Sequence, residues 1–557
     1  VDPSLYEAQL VGLSYTDSAA LPTSFDTFAS PITQGGNYLL TGTQTSKVSI
    51  TAPESDVVHL YLQDVTWTVS KKALEITSGT VILTFLGTNS ISNTTASTNL
   101  ITSDVDLRVN GSGTSTLSAT KSCFNINARL TFEGTNTFDC TAGGNAITAY
   151  TIDAYDTVFH IAAGKDAFHA ELPDTVTAFT YEAGYVYLRR VTLTTGEIDG
   201  DIIQADTFAY VLAGSLTGST TGSFVTDTTA NRTAYELEDD DFRYILKNGT
   251  YTKIASDYNG SETKYALAQS CKGIKVGEIE YDSDGDDTDD GTVSSASYGL
   301  VVKEATLNFT CTDDALHCNS GSTLLLESTI QESTYDDGCT CDHDLEVRNT
   351  SYAVSACYEG LEGEHIVLAG DQNAIDIVSA DDGINASTDG TESNLYIHIE
   401  AGYTHVNASG DGLDSNGYLM ISGGTTYVEG PTGDGDTSLD SNSGIYLDGG
   451  TLIAGGSKGM VETPDSASKQ CSIVYYPTSS YAANTLVKLL DSSGTVLASY
   501  TFTKTTSAFI FSAPGLTKGS SYTIQAGSAS QSVTLTGTVT SSGSGGGNNP
   551  GGPGGRP

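Results

Sequence analysis

The sequence predicts an all-β chain folded as a right-handed parallel β-helix, with a small antiparallel β unit near its C-terminal end. Three observations carry that reading. An acid-bearing motif of the form D-G-φ-[D/N/E/H], φ being apolar, recurs at DDALHC (313–318), DDGCTC (336–341), YEGLEG (358–363), DDGINA (381–386), GDGLDS (410–415) and DTSLDS (436–441). Its anchors Leu316, Cys339, Leu361, Ile384, Leu413 and Leu439 are spaced by 23, 22, 23, 29 and 26 residues, the period of a solenoid whose coils bury their apolar faces on one another. Between motifs lie pairs of short Val-, Ile-, Thr- and Tyr-rich runs broken by glycine, such as 418–422 and 425–429 around Gly423-Gly424, which is strand chemistry.

Taken in order, residues 1–34 read as an N-terminal extension or cap. Coils follow over 35–465, with VVHLYLQDVTWTV (57–69) and VILTFLGTNSI (81–91) as early strand pairs. Phe124, Ala146 and Phe168 fall in comparable slots, and GKDAFHA (164–170) echoes DDALHC. Insertions are expected near 200–300, among them DSDGDDTDD (282–290). That loop has the D-x-D-G-D spacing of a calcium loop, but its twelfth position is Val293 in place of the bidentate Glu, so an acidic insert without metal is an equal reading. From Cys471 the period is lost. Alternating runs at 486–503, 507–513, 521–527 and 532–539 predict a small β-sandwich-like unit over 471–540, which would cap the helix or protrude beside it. The tail SSGSGGGNNPGGPGGRP (541–557) has the composition of a flexible linker.

The formal charge is −44, from 68 acidic and 24 basic residues, which disfavours nucleic acid and anionic membranes as partners. No run approaches the roughly 20 apolar residues of a membrane span. Stacked coils about 4.8 Å apart would bring equivalent motif residues into ladders. After the anchors come His317, Thr340, Glu362, Asn385, Asp414 and Asp440; two positions before them stand Asp314, Asp337, Glu359, Asp382, Asp411 and Thr437; and Asp313, Asp336, Asp381 and Asp436 precede those. Carboxylates so close repel, and a hard cation with six to eight oxygen ligands relieves them. Ca2+ is therefore the expected cofactor, with candidate ligands Asp313, Asp314, His317, Asp337, Glu359, Glu362, Asp381, Asp382, Asn385, Asp411, Asp414, Asp436 and Asp440. The set 359–414 is the strongest. For any one motif, Asp-Gly as a solvated turn is the plain alternative.

Nine cysteines and a chain beginning at Val1 suggest a mature product of an oxidising, extracellular compartment. Cys318 and Cys341 each lie two residues past an anchor and are expected to be stacked and disulfide-bonded. Cys123 and Cys140 are a second candidate pair, and simple core burial is the alternative for both. Glycosylation sequons occur at Asn93, Asn110, Asn231, Asn248, Asn259, Asn308, Asn349 and Asn407. Asn385 heads a ninth, where metal ligation or burial should exclude a glycan.

The segments DDALH, YEGLEG, DDGINAS, GDGLDSNGYLMISGGTTYVEGP and GGTLIAGGSKGM, with the opening GGNYLLTGTQTSKVSITAPESDVVHLYLQDVTWTV, resemble a family of secreted bacterial carbohydrate-binding proteins known from cellulolytic clostridia. The resemblance covers about 30–535. It implies a β-helix related to calcium-dependent pectate lyases, bound calcium, and affinity for cellulose and acidic sugars such as polygalacturonate. It carries over to Asp313, Asp314, His317, Glu359, Glu362, Asp381, Asp382, Asn385, Asp411 and Asp414. Cys339-Thr340 and CKGIK (271–275), which puts Lys272 in an acid slot, depart from the pattern.

A non-catalytic polysaccharide-binding protein is the favoured function. A structural subunit of an extracellular filament or cell-surface homopolymer is the second reading, and a pectate-lyase-like enzyme the third. Elimination from uronates needs a Lys or Arg base beside the cation, yet only Arg348 falls between residues 304 and 457, and Lys165 and Lys458 are isolated.

Overall fold

The computed structural model describes residues 21–173, 183–235, 237–238, 241–254, 258–269, 271–277, 298–319, 321–388 and 394–543. It is all-β, built of parallel β-helix coils. The chain divides into two compact units, residues 1–242 with 265–321 and residues 243–264 with 322–557. The acidic loop 282–290 lies outside the described residues.

In the first unit each coil contributes up to three strands, and each strand pairs in parallel with its equivalent one coil on. Val48, Leu74, Ile101, Phe124, Ile147, Phe168, Ile203, Ile274 and Leu316 are successive members of one such ladder, and all are buried. Period-2 alternation drives this, because it sends every second side chain into the interior. Phenylalanines fill the central part of that interior: Phe124–Phe132 and Phe85–Phe138 meet at 5.2 Å, Phe132–Phe159 and Phe159–Phe168 at 5.1 Å, all near-perpendicular, the preferred edge-to-face geometry. The equivalent of Phe124 is Ile147 and not Ala146. Both are buried, so apolarity alone does not separate them; Ala146 holds the small-residue slot just before the anchor.

In the second unit the same pattern continues through Gly444–Leu447 and Thr451–Gly456. The small residue before the anchor has a steric cause. A Cβ on Gly383 would lie 2.1 Å from Val406 Cγ1 and 2.5 Å from the Gly412 carbonyl, and one on Gly412 2.2 Å from Val428 Cγ1. The D-G-φ glycine is thus where backbone of one coil rests on the next. The C-terminal strands belong to this same unit. Ala508–Ser512 pairs antiparallel with Thr451–Gly456 and with Ser472–Tyr476, while Thr485–Leu490, Val496–Phe502, Ser521–Ala526 and Ala529–Thr534 form an antiparallel sheet. Ile453 of the last coil shares one core with Val487, Leu489, Phe502, Phe509, Phe511 and Tyr522.

The expected disulfides are not formed. All nine cysteines are thiols, eight of them buried. Cys318 Sγ faces the Gly321 carbonyl at 3.3 Å and Cys341 Sγ the Asp344 carbonyl at 3.5 Å, so each sulfur is directed into its own turn. Cys123 donates toward the Leu117 and Thr141 carbonyls. These cysteines act as small core residues with weak S–H donors.

Candidate functional site: an acid ladder and an aromatic row

The motif strands of the second unit, Leu361–Gly363, Ile384–Ala386, Leu413–Ser415 and Leu439–Ser441, are each three residues long and stack in register. Leu361, Ile384, Leu413 and Leu439 point into the core, and Glu362, Asn385, Asp414 and Asp440 form the adjacent outward column. The acid two before each anchor has a structural task that spacing did not reveal. One oxygen of Asp337 accepts from the Glu359 backbone N–H at 2.9 Å, one of Asp382 from Asp411 N–H at 2.6 Å, and one of Asp411 from Thr437 N–H. The first unit repeats the staple, with Asp201 N–H on Asp166 at 2.8 Å and Lys272 N–H on Asp201 at 2.6 Å. Each staple satisfies a turn N–H that has no strand partner and engages one of the two carboxylate oxygens.

Asp382, Asp411 and Asp414 place carboxylate oxygens within 4.8 Å of one another. Burial, with Glu359, Asp411, Asp381 and Asp414 around it, pushes the Asp382 carboxyl up to about 10. Burial, with Asp414, Asp440 and Asp436 nearby, raises Asp411 to about 8 against the pull of the Thr437 N–H. Glu359 is likewise raised, by burial and then by Glu362. Asn385, in register with Asp414, donates its amide to Glu359 at 3.0 Å, while its buried Oδ1 has no hydrogen-bond donor. A buried carbonyl oxygen without a donor, beside carboxylates crowded enough to hold protons, fits a hard cation: every ligand atom is oxygen, and the amide oxygen can supply only a lone pair.

Other expected ligands are occupied differently. In the first unit Lys272 Nζ lies 2.7 Å from Asp313 and 2.8 Å from Asp314, and His317 Nδ1 is 2.8 Å from Asp314. Burial would lower this ammonium, but the two aspartates hold it charged, so a lysine serves there as the cation. In the second unit, Lys253 and the Tyr244 hydroxyl, from the inserted hairpin Tyr244–Lys247 and Thr250–Lys253, bind Asp336. Glu362 takes Thr340 Oγ1 at 3.0 Å and Ser387 Oγ at 2.8 Å. Asp436 is exposed, Asp381 faces the Tyr358 hydroxyl, and Asp440 accepts from Ser441 N–H at 2.8 Å. Glu462 was not foreseen: it accepts from Ser441 N–H at 3.1 Å, and burial followed by Asp440 raises its carboxyl. It lies past the last repeat, where no spacing marks it.

On the neighbouring sheet, His365, Tyr396, Tyr418 and Gly444 share one outward column. The His365 and Tyr396 rings are 4.8 Å apart, and Tyr418 and Tyr446 6.1 Å. Gly444 has a φ of 116°, and a Cβ there would sit 3.3 Å from the Tyr446 ring; its absence lets Tyr446 lean back over that column. The result is an aromatic row over four consecutive coils, with Tyr418 42% exposed. Of the sequons, Asn93 and Asn110 are buried. Asn231 and Asn407 use their amide nitrogens internally, and Asn349 binds the Gln372 N–H. Asn248, Asn259 and Asn308 are exposed.

The family of carbohydrate-binding domain-containing proteins matches residues 29–329 and 324–474. The chain belongs to that family. No curated protein and no solved structure matches it. Among the described residues no helix is long and apolar enough to cross a membrane.

Proposed function

We propose that this protein binds polysaccharide outside the cell without catalysis, along the aromatic row, with Ca2+ held by the acid ladder. The observation that carries the reading is the row itself, His365, Tyr396, Tyr418 and Tyr446, on a member of a carbohydrate-binding family. Ring centroids lie 4.8 Å apart for His365–Tyr396 and 6.1 Å apart for Tyr418–Tyr446, a repeat on the scale of one pyranose of an extended glycan, and aromatic rings suit the C–H faces of sugars. Cellulose is the neutral ligand this favours, and polyuronate the acidic one.

Asp382, Asp411, Asp414 and the Asn385 amide oxygen are the residues to hold calcium. The ion would supply positive charge where no Lys or Arg occurs between Arg348 and Lys458. Lys253, which the inserted hairpin brings to the acid motif, is already paired with Asp336 and is poorly placed to abstract a proton, which speaks against lyase chemistry. The exposed Asn248, Asn259 and Asn308 sequons suit a secreted glycoprotein. Growth into a filament through the last coil is disfavoured, since Ala508–Ser512 already pairs with Thr451–Gly456.

Retention on insoluble cellulose tests the reading. The Tyr418→Ala, Tyr446→Ala double variant should lose most of it, roughly tenfold or more, at about 1–1.5 kcal/mol per stacked ring, with an unchanged melting temperature. Full retention by that variant would exclude the row as the binding face.

A further inference from the structure

The first unit contains a cleft of ≈ 540 Å³ whose lining includes Lys47, Lys71, Lys72, Lys121, Glu75 and Asn99. Cavities of this size, about 300–1,000 Å³, hold small ligands. Four ammoniums against one carboxylate leave three uncompensated positive charges, in a chain with 68 acids for 24 bases. Several other cations of this unit are matched: Arg108 binds Glu133 at 2.8 Å, Arg129 binds Asp153 at 2.5 Å, Arg190 binds Asp156 at 2.6 Å, and Lys272 binds Asp313 and Asp314.

In the cleft, Lys47 and Lys72 share Glu75 at 2.6 and 2.7 Å and hold its carboxyl down to about 2. Lys71 and Lys121, both exposed, make no ion pair among the described residues. They occupy the slot three before the anchors Leu74 and Phe124, the slot that Asp313, Asp381 and Asp436 hold in the acidic motifs. The repeat has therefore exchanged acid for base at this turn in its early coils. Gathering like charges without a counterion is unfavourable, and surplus acid elsewhere in the chain has not been used to cancel them. Asn99 adds a buried Oδ1 with no hydrogen-bond donor at the same wall.

We propose that this cleft is a binding subsite for an acidic sugar, a uronate whose carboxylate meets Lys71 and Lys121 and whose hydroxyls meet the Asn99 side. The proposal rests on the polysaccharide reading and adds to it a second, charge-selective site. A chain of net charge −44 repels a polyanion at long range. A local cationic cleft is what allows it to hold one without a bridging metal.

Calorimetric titration of the full chain with trigalacturonate, in EDTA and low salt, tests this. Wild type should bind, binding should weaken as salt is raised, and the Lys71→Gln, Lys121→Gln double variant should bind about five- to tenfold more weakly. Both lysines are exposed, so the variant should melt as wild type does, and its cellulose retention should be unaltered. Equal affinity in wild type and variant overturns the subsite while leaving cellulose binding intact. Competition by inorganic sulfate as effective as by trigalacturonate at matched ionic strength overturns its specificity for sugar. Loss of both cellulose and trigalacturonate binding in wild type removes the polysaccharide reading itself, and this one with it.

Discussion

Glu332 is the clearest case of a single residue set against its surroundings. The strand Thr329–Thr334 alternates exposed and buried, which turns Ile330, Glu332 and Thr334 inward; one coil on, the position of Glu332 is taken by Val354. Neither carboxyl oxygen has a well-aligned donor. The nearby Tyr352 hydroxyl opposes the shift but is turned to the Gly360 carbonyl at 3.3 Å, and burial lifts the carboxyl to about 8. A carboxyl raised in the folded state contributes most below its unfolded value, about 4.3, and that contribution is lost as pH climbs toward 8. Glu332→Gln keeps the shape and cannot ionise. Its melting temperature should move ahead of wild type progressively between pH 5 and pH 8, by several degrees at the upper end, and a constant difference across that range would contradict a protonated core carboxyl. Period-2 alternation does place Glu332 inside, but its charge argues for outside, and sequence alone offers no way to weigh the two. The motif acids were different. Asp382, Asp411 and Asp414 were legible because repetition put them in equivalent slots, whereas their use of one oxygen as a coil staple was not, since it depends on backbone N–H positions that no residue type encodes.

At the scale of elements, the antiparallel sheet of the C-terminal strands is fastened to the coils by one polar cluster. Glu429, fully buried, accepts from the Tyr500 hydroxyl, Thr503 N–H and Thr503 Oγ1, each at 2.7 Å, and from Lys504 N–H at 3.2 Å. His405 Nδ1 lies 2.7 Å from Asp376, and its Nε2 lies 2.7 Å from the Tyr500 oxygen. Because that hydroxyl donates to Glu429, the imidazole must donate to it, so the doubly protonated ring satisfies both contacts. Burial alone would lower His405, but Glu429 and Asp376 outweigh it and raise it; burial would raise Glu429, but His405, Tyr500 and Thr503 hold it down to about 2. The Glu429 contribution is present above its unfolded value of about 4.3 and lost as pH falls toward 2, while that of His405 is complete below about 6.5 and lost as pH rises through its raised value. Hydrogen exchange of Thr485–Leu490 and Val496–Phe502 should therefore be most protected, after correction for intrinsic rate, between about pH 4.5 and 6.5. His405→Asn should abolish the alkaline loss, and a profile identical to wild type would rule out the imidazolium. The strands themselves were legible over 471–540 from alternation and turn residues. Their attachment was not, because Tyr500 and Glu429 are 71 residues apart and outside any repeat.

For the whole molecule the governing quantity is the excess of 44 negative charges, which favours expansion of the chain unless cations are built in or bound. The first solution is seen at two places. Lys272 neutralises Asp313 and Asp314, and Lys253 neutralises Asp336; the sequence showed Lys272 as a base in an acid slot but not which coil it would meet, and Lys253 lies in an insertion that no repeat places. The acid slots of the later coils lie in the stretch from Arg348 to Lys458 that contains no Lys or Arg, and there the proposed calcium would be the means. A ligand that binds only the folded state stabilises it by about 2.7 kcal/mol at a hundredfold excess over its dissociation constant. Calcium should therefore raise the melting temperature by several degrees and chelation should reverse it. Magnesium should do less, because its octahedral demand suits a strained carboxylate cluster poorly. The Asp382→Asn, Asp414→Asn double variant separates this from a general salt effect, for it removes ligands and repulsion together. It should melt above wild type in EDTA and fail to respond to calcium, so that the two proteins exchange order when the ion is added. Equal response of wild type and variant to calcium, or a wild-type transition indifferent to chelation, would show that the ladder is stabilised by its protons and its staples alone.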